Sequence, residues 1–142
     1  AKMKNYVFKS PDETKEFASE LAQKVPDGKI IALIGNLGTG KTTFSQGFAL
    51  GMDIHESIIS PTFKLVSEYC GDRALNHIDC YRLDSSTDFL NIGGENFLNC
   101  ENGVTLIEWA DRIKELWIDD WMFIYFDRDQ QFPETRLVKI VG

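Results

Sequence analysis

Two kinds of apolar pattern alternate along this chain. Ile30-Ile31-Ala32-Leu33-Ile34 and Val104-Thr105-Leu106-Ile107 run without a polar side, which predicts strands covered on both faces in a parallel sheet. Phe17, Leu21 and Val25 recur every four residues with Ala18 and Ala22 beside them, one stripe of a helix. Ser10-Pro11-Asp12-Glu13 starts that helix as a capping box, with Ser10 as N-cap, Pro11 at N1 and Glu13 at N3, and Pro26-Asp27-Gly28 ends it. Tyr6-Val7-Phe8 reads as a short strand before it. Phe44, Phe48 and Ala49 suit a second helix from Lys41 to Leu50, with Gly51 in the C-cap place.

Further on, Phe63 to Tyr69 and Ala74 to Cys80 read as a hairpin turning at Gly71-Asp72, with Asp79 near its end. Residues 84 to 100 read as helical pieces interrupted at Gly93-Gly94, and Ala110 to Trp117 as a short helix. Trp121 to Phe126 and Thr135 to Val141 close the chain as an antiparallel pair. The order predicts an α/β fold, a three-layer sandwich around a mixed parallel and antiparallel sheet.

Composition narrows the class without naming a chemistry. At 142 residues, 43% hydrophobic and 26% charged, the chain is expected to form one domain over residues 1–142. A net charge of -7 disfavours strong direct binding to nucleic acid, which rests on Lys and Arg neutralising phosphates. Cys70, Cys80 and Cys100 are odd in number and lack CxxC spacing, against a disulfide framework or zinc site. With no signal-like or membrane-spanning run, the expectation is a cytoplasmic protein without a membrane partner.

The chemistry concentrates in Gly35-Asn36-Leu37-Gly38-Thr39-Gly40-Lys41-Thr42, between a predicted strand and a predicted helix, the order that makes the expected sandwich P-loop NTPase-like. Glycines let successive backbone N–H groups curl around phosphate oxygens where a side chain would block the approach. Lys41 is placed to reach the β- and γ-phosphates, the Thr42 hydroxyl to ligate magnesium, and the helix N-terminus, with Thr43, to face the anion. The expected cofactors are therefore ATP or ADP and Mg²⁺.

Magnesium on a nucleoside triphosphate needs a carboxylate at a neighbouring strand end, and Asp79 and Glu108 both qualify, each with a turn residue as the alternative. Glu108 would either hold metal or activate water. Trp109 is either core or a ring that stacks on the adenine or covers the site, and Thr62 either starts a strand or senses the γ-phosphate. His77 and Asp79 share a strand face, which predicts a hydrogen bond between them. Arg73, Arg82, Arg112, Arg128 and Arg136 do not cluster in sequence as a kinase lid would, and the Asn-Lys-x-Asp signature of guanine recognition is absent.

These motifs, with Thr43-Phe44, Ser60-Pro61-Thr62-Phe63, Glu68-Tyr69, His77-Ile78-Asp79-Cys80-Tyr81-Arg82 and Ile107-Glu108-Trp109-Ala110, resemble the TsaE (YjeE) family of small bacterial ATPases. The resemblance implies a sheet of mixed strand directions, Asp79 and Glu108 at the magnesium, Thr62 in a switch-like segment and Trp109 close to the nucleotide. It also implies ATP hydrolysis on a complex with the TsaB and TsaD proteins, in support of the threonylcarbamoyladenosine modification of tRNA. A nucleotide sensor without hydrolysis and a small-molecule kinase are the alternatives. Two positions depart from the family pattern: Asn36 stands where an acid is usual, and Thr39 where a smaller residue is. The acid-Leu-x-x-Leu-Gly stretch is only loosely matched by residues 88–93.

Overall fold

The computed structural model describes residues 2–36, 38–58 and 65–142. Its strands are β1 (Met3–Phe8), β2 (Ile30–Ile34), β3 (Val66–Cys70), β4 (Ala74–Asp79), β5 (Gly103–Glu108), β6 (Met122–Arg128) and β7 (Arg136–Val141). Among the described residues three α-helices join them: α1 (Pro11–Lys24), α2 (Lys41–Gly51) and α3 (Ser86–Asn91). Two 3-10 segments cover Gly94–Phe97 and Ala110–Leu116.

One seven-stranded sheet takes the order β1-β7-β6-β2-β5-β4-β3. β6, β2, β5 and β4 are parallel, and the antiparallel pairs β6–β7, β1–β7 and β3–β4 extend this centre on both sides. The mixed α/β sheet expected from the sequence is the one observed. Unbroken apolar runs became its inner strands because both faces are covered there. β1 begins three residues earlier than the sequence suggested. It lies at the sheet's edge, where polar residues such as Lys4 and Asn5 are tolerated.

Alternation along each strand sends side chains to two separate cores. Ile31, Leu33, Leu75, Leu106, Ile124, Phe126, Val138 and Ile140 meet α1 and α2, whereas Ala32, Ile78 and Ile107 meet α3 and the 3-10 segments. Phe44 and Phe48 of α2 are fully buried in the first core. α1 and α2 touch through their backbones, because a Cβ on Gly47 would come within 2.5 Å of Lys15 Cα. Gly51 makes a similar contact with Ser19, so it stays inside α2 and Met52 takes the C-cap that the sequence assigned to Gly51. The 110–117 helix is a kinked 3-10 segment, broken at Ile113. Among the described residues, no helix is long and apolar enough to cross a membrane.

Candidate phosphate-binding site

Parallel strands bring their carboxyl ends to one edge of the sheet, and the loop after β2 lies at that edge. β2 sits between β5 and β6, with Leu33 opposite Glu108 on one side and Ile124 on the other. Asp79 is directly opposite Glu108 across β4 and β5. Asp79 and Glu108 each follow, at two-residue spacing, a side chain on the α1–α2 face, so both carboxylates emerge where α2 begins. This is the crevice in which open α/β sheets bind ligands.

The loop itself is shaped by close approach and by positive φ. A Cβ on Gly35 would lie 2.8 Å from both Phe126 O and Thr39 Oγ1, while Gly38 and Gly40 have φ of +74° and +103°. The Thr39 hydroxyl is buried and donates to Asn36 O at 2.6 Å. The departure at Thr39 thus acquires a local reason, since this hydroxyl ties the loop to itself. Asn36 is exposed, and Leu37 lies outside the described residues. Gly40 is the N-cap of α2, and it has no side chain with which to cap the helix.

Lys41 is 5% exposed, and its Nζ donates to Gly35 O at 2.5 Å while standing 3.8 Å from the centroid of the Trp109 ring. Burial pushes its pKa below the ordinary lysine value, opposed by the charges of Glu108, Asp111 and Asp79. Trp109 holds φ +57°, a left-handed conformation that is rare for a bulky side chain and costs about 1–2 kcal/mol. The strain turns the indole back over the lysine and against Tyr81, whose ring centroid is 4.9 Å away. Trp109 packs against the second core, and its ring lies over Lys41.

The carboxylates differ in surroundings. Asp79 is half-buried and accepts the Tyr81 N–H at 2.9 Å; burial raises its pKa, against the pull of that hydrogen bond. Glu108 is 3% exposed and its Oε2 lies 2.5 Å from His77 Nε2, with His77 itself fully buried. His77 therefore pairs with Glu108 and not, as its spacing suggested, with Asp79. The strand pleat puts both acids on its face, but the neighbouring strand presents its carboxylate diagonally at hydrogen-bonding distance. His77 Nδ1 has no partner among the described residues, so the ring's contact with the Glu108 carboxylate is made by Nε2 as donor.

A cleft of about 380 Å³ opens between these groups, lined by Gly38, Gly40, Lys41, Thr42, Thr43, Asp79, Tyr81, Glu108, Trp109 and Arg136. The Thr42 side is exposed and Thr43 is half-buried. Every described residue singled out from the sequence as catalytic or metal-binding thus reaches one cleft. Thr62, with the rest of Ser60-Pro61-Thr62-Phe63, lies outside the described residues. Sequence reasoning passed over two groups on the loop's other flank. Arg128 Nε donates to Gly38 O at 3.0 Å, and the Arg136 stem lies against Gly40. They are far apart from the loop in sequence, and only the β6–β7 register brings them to it.

No group of three or more His, Cys, Asp or Glu side chains is arranged for a metal among the described residues. A nucleotide-bound magnesium does not require one, because phosphates and water supply most of its ligands and the protein one or two carboxylates. The residues present fit such an ion: an exposed threonine hydroxyl and a half-buried carboxylate, its pKa raised by burial, share the cleft. They fit an anion as well, through an uncapped helix start and two glycines with positive φ.

Comparison with known proteins bears on the fold and the family. The crystal structure of YdiB from Bacillus subtilis superposes with a TM-score of 0.82 at 32% identity, covering 99% of this chain and 87% of that one. The tRNA threonylcarbamoyladenosine biosynthesis protein TsaE of Treponema pallidum is 39% identical over 107 residues, which is 75% of this chain and 78% of the relative. Its namesake from Bacillus subtilis is also 39% identical over 107 residues, 75% of this chain but 66% of the relative. The family model described as threonylcarbamoyl adenosine biosynthesis protein TsaE matches residues 8–137, and with relatives at this identity the chain belongs to the TsaE family.

Proposed function

We propose that this chain is a magnesium-dependent ATPase that supports threonylcarbamoyladenosine synthesis on tRNA by acting on a TsaB–TsaD complex in the cytoplasm. The single observation behind the nucleotide site is the start of α2. It has a glycine N-cap, no side-chain cap and no acidic residue in its first turn, and a buried lysine stands beside it. Exposed N–H groups and a cation with no chain anion capping them describe a place for phosphate.

In this reading the backbone N–H groups of residues 35 to 43, Leu37 and Asn36 included, hold the α- and β-phosphates. Lys41 exchanges the Gly35 carbonyl for phosphate oxygens, and Trp109 moves with it or covers the nucleoside. Thr42 and Asp79 hold the magnesium, with Glu108 beside them; the ion, when bound, offsets charge developing on the phosphates. His77 keeps the Glu108 carboxylate in one orientation, suited to ordering an attacking water. Thr62 belongs to a segment that responds to the γ-phosphate.

The negative overall charge supports action through protein partners and not through direct tRNA binding. The test is ATP turnover by the chain alone and with TsaB and TsaD. The expected result is slow hydrolysis alone and faster hydrolysis in the complex. Tight ATP binding without hydrolysis under either condition would leave a nucleotide sensor, and a phosphorylated nucleoside product would leave a kinase.

A further inference from the structure

The loop after β2 is flanked by opposite charges. On the β5–β4 side stand Glu108 and Asp79, and on the β6–β7 side stand Arg128 and Arg136. Arg128 and Arg136 are direct cross-strand partners at the last pair of the β6–β7 ladder. They continue the alternation of Phe126 and Val138, so both leave the sheet on the face that carries α2. Like charges directly opposite each other destabilise a strand pair, yet neither arginine forms an ion pair among the described residues.

The two carboxylates that flank Arg128 in sequence accept backbone N–H groups. Asp127 Oδ1 accepts the Arg128 backbone N–H at 2.8 Å, and Asp129 Oδ1 accepts the N–H groups of Gln131 and Phe132 at 2.8 and 3.1 Å. Carbonyls hold the guanidinium groups instead. Arg136 Nη1 donates to Pro133 O at 2.6 Å and to Thr135 O at 3.1 Å, and Arg128 Nε donates to Gly38 O. Arg136 is half-buried, lines the cleft, and lays its Cγ, Cδ and Nε against Gly40, at the N-cap of α2. Carbonyl contacts orient a guanidinium without neutralising it.

We propose that Arg136 is a phosphate-binding residue that grips the nucleotide from the side of the loop opposite the carboxylates, with Arg128 a positioning residue that fixes the loop at Gly38. The inference rests on the nucleotide reading above and names a group that reading does not need. The cleft is then polarised for a metal-bound polyphosphate: its acidic wall takes the cation and its basic wall takes oxygens that the cation leaves uncovered. The like-charge opposition of Arg128 and Arg136 is relieved when an anion enters.

The test is calorimetry of ADP and of inorganic pyrophosphate on the wild type and on Arg136→Ala, Arg136→Lys and Arg128→Ala. A chelator is present, so that no divalent cation bridges the anion to Asp79 and Glu108. Loss of a charge-assisted contact predicts that Arg136→Ala weakens both ligands by the same factor, about 10- to 100-fold, and that Arg136→Lys recovers part of it. Arg128→Ala weakens both by less. Arg73→Ala, which removes an arginine paired with Asp27 away from the loop, leaves both unchanged. Unaltered pyrophosphate affinity in a folded Arg136→Ala protein overturns the inference alone, whether or not ADP weakens. A folded wild type that binds neither ligand takes the nucleotide reading down with it.

Discussion

The N-termini of α1 and α2 carry the same physical liability and treat it in opposite ways. Each helix start exposes N–H groups and a partial positive charge of about half an elementary unit. At α1 the chain answers both. Ser10 accepts the Glu13 N–H at 3.2 Å, Glu13 Oε1 accepts the Lys9 N–H at 3.0 Å, and Asp12 adds a second acid to the first turn. Ser85 serves α3 in the same manner, accepting the Asp88 N–H. At α2 the N-cap is a glycine at φ +103°, the first turn has no acid, and Lys41 occupies N1. Among the described residues, two α-helix starts are sealed by side chains and the start of α2 is open, which is the arrangement the proposed phosphate site requires.

The largest expected effect falls on the open end. Lys41→Ala removes the cation that completes it, and ADP affinity by calorimetry should drop about 100-fold, in line with loss of a charged hydrogen-bond donor. Stability should move by no more than about 1 kcal/mol, because the buried ammonium carries a desolvation cost alongside its bond to Gly35. Retained affinity in a folded Lys41→Ala protein would remove α2 from the comparison.

A smaller effect comes from making α2 resemble α1. Thr43 holds the N3 position of α2 that Glu13 holds in α1, so Thr43→Glu supplies the missing acid. The ligand-free protein should gain about 0.5 kcal/mol in a denaturant titration, from the charge–dipole interaction. Its ADP affinity should fall about 10-fold, as the new carboxylate competes with phosphate for the same N–H groups. The two measurements move in opposite directions only if the vacancy at α2 is functional; a loss of stability together with unchanged affinity refutes that view.

The sealed end supplies the control. Ser10→Ala deletes the cap and should cost about 1 kcal/mol of stability while leaving ADP affinity at its wild-type value.

Much of this contrast is legible before folding, because caps and glycine loops are local. Ser10-Pro11-Asp12-Glu13 and Gly35 to Thr42 announce a closed and an open helix start within eight residues each. Asp79 and Glu108 are legible at one remove, since each ends an apolar strand and the parallel order sets such ends side by side. What sequence spacing misjudged depends on strand neighbours. His77 lies two residues from Asp79 but bonds Glu108, 31 positions away, and Arg128 and Arg136 reach the loop only through a hairpin ladder. The left-handed Trp109 backbone that sets the indole over Lys41 is likewise invisible in a sequence.

The smallest expected effect concerns Asp79, which belongs to the open end by charge. Burial, with Glu108 nearby, raises its pKa above the ordinary value of 3.8, although the Tyr81 N–H, His77 and Lys41 act the other way. A raised pKa means that the folded state binds the proton more tightly than the unfolded chain does. Stability from this group is therefore present below pH 3.8, is lost as pH climbs through the interval up to the raised value, and stays lost at neutrality. Asp79→Asn keeps an oxygen for the Tyr81 N–H and carries no charge. With magnesium and nucleotide absent, it should be slightly more stable than wild type at pH 7, by less than about 1 kcal/mol given the exposure of the group to water. The difference should close as the pH falls below 3.8. Adding magnesium and ADP should reverse the ranking, because only the aspartate gains a cation. Denaturant midpoints at the two pH values, with and without the ligands, read both signs. An Asp79→Asn protein less stable than wild type at pH 7 without ligands would mean that the carboxylate is already satisfied within the fold, and that this flank of the cleft is not waiting for a metal.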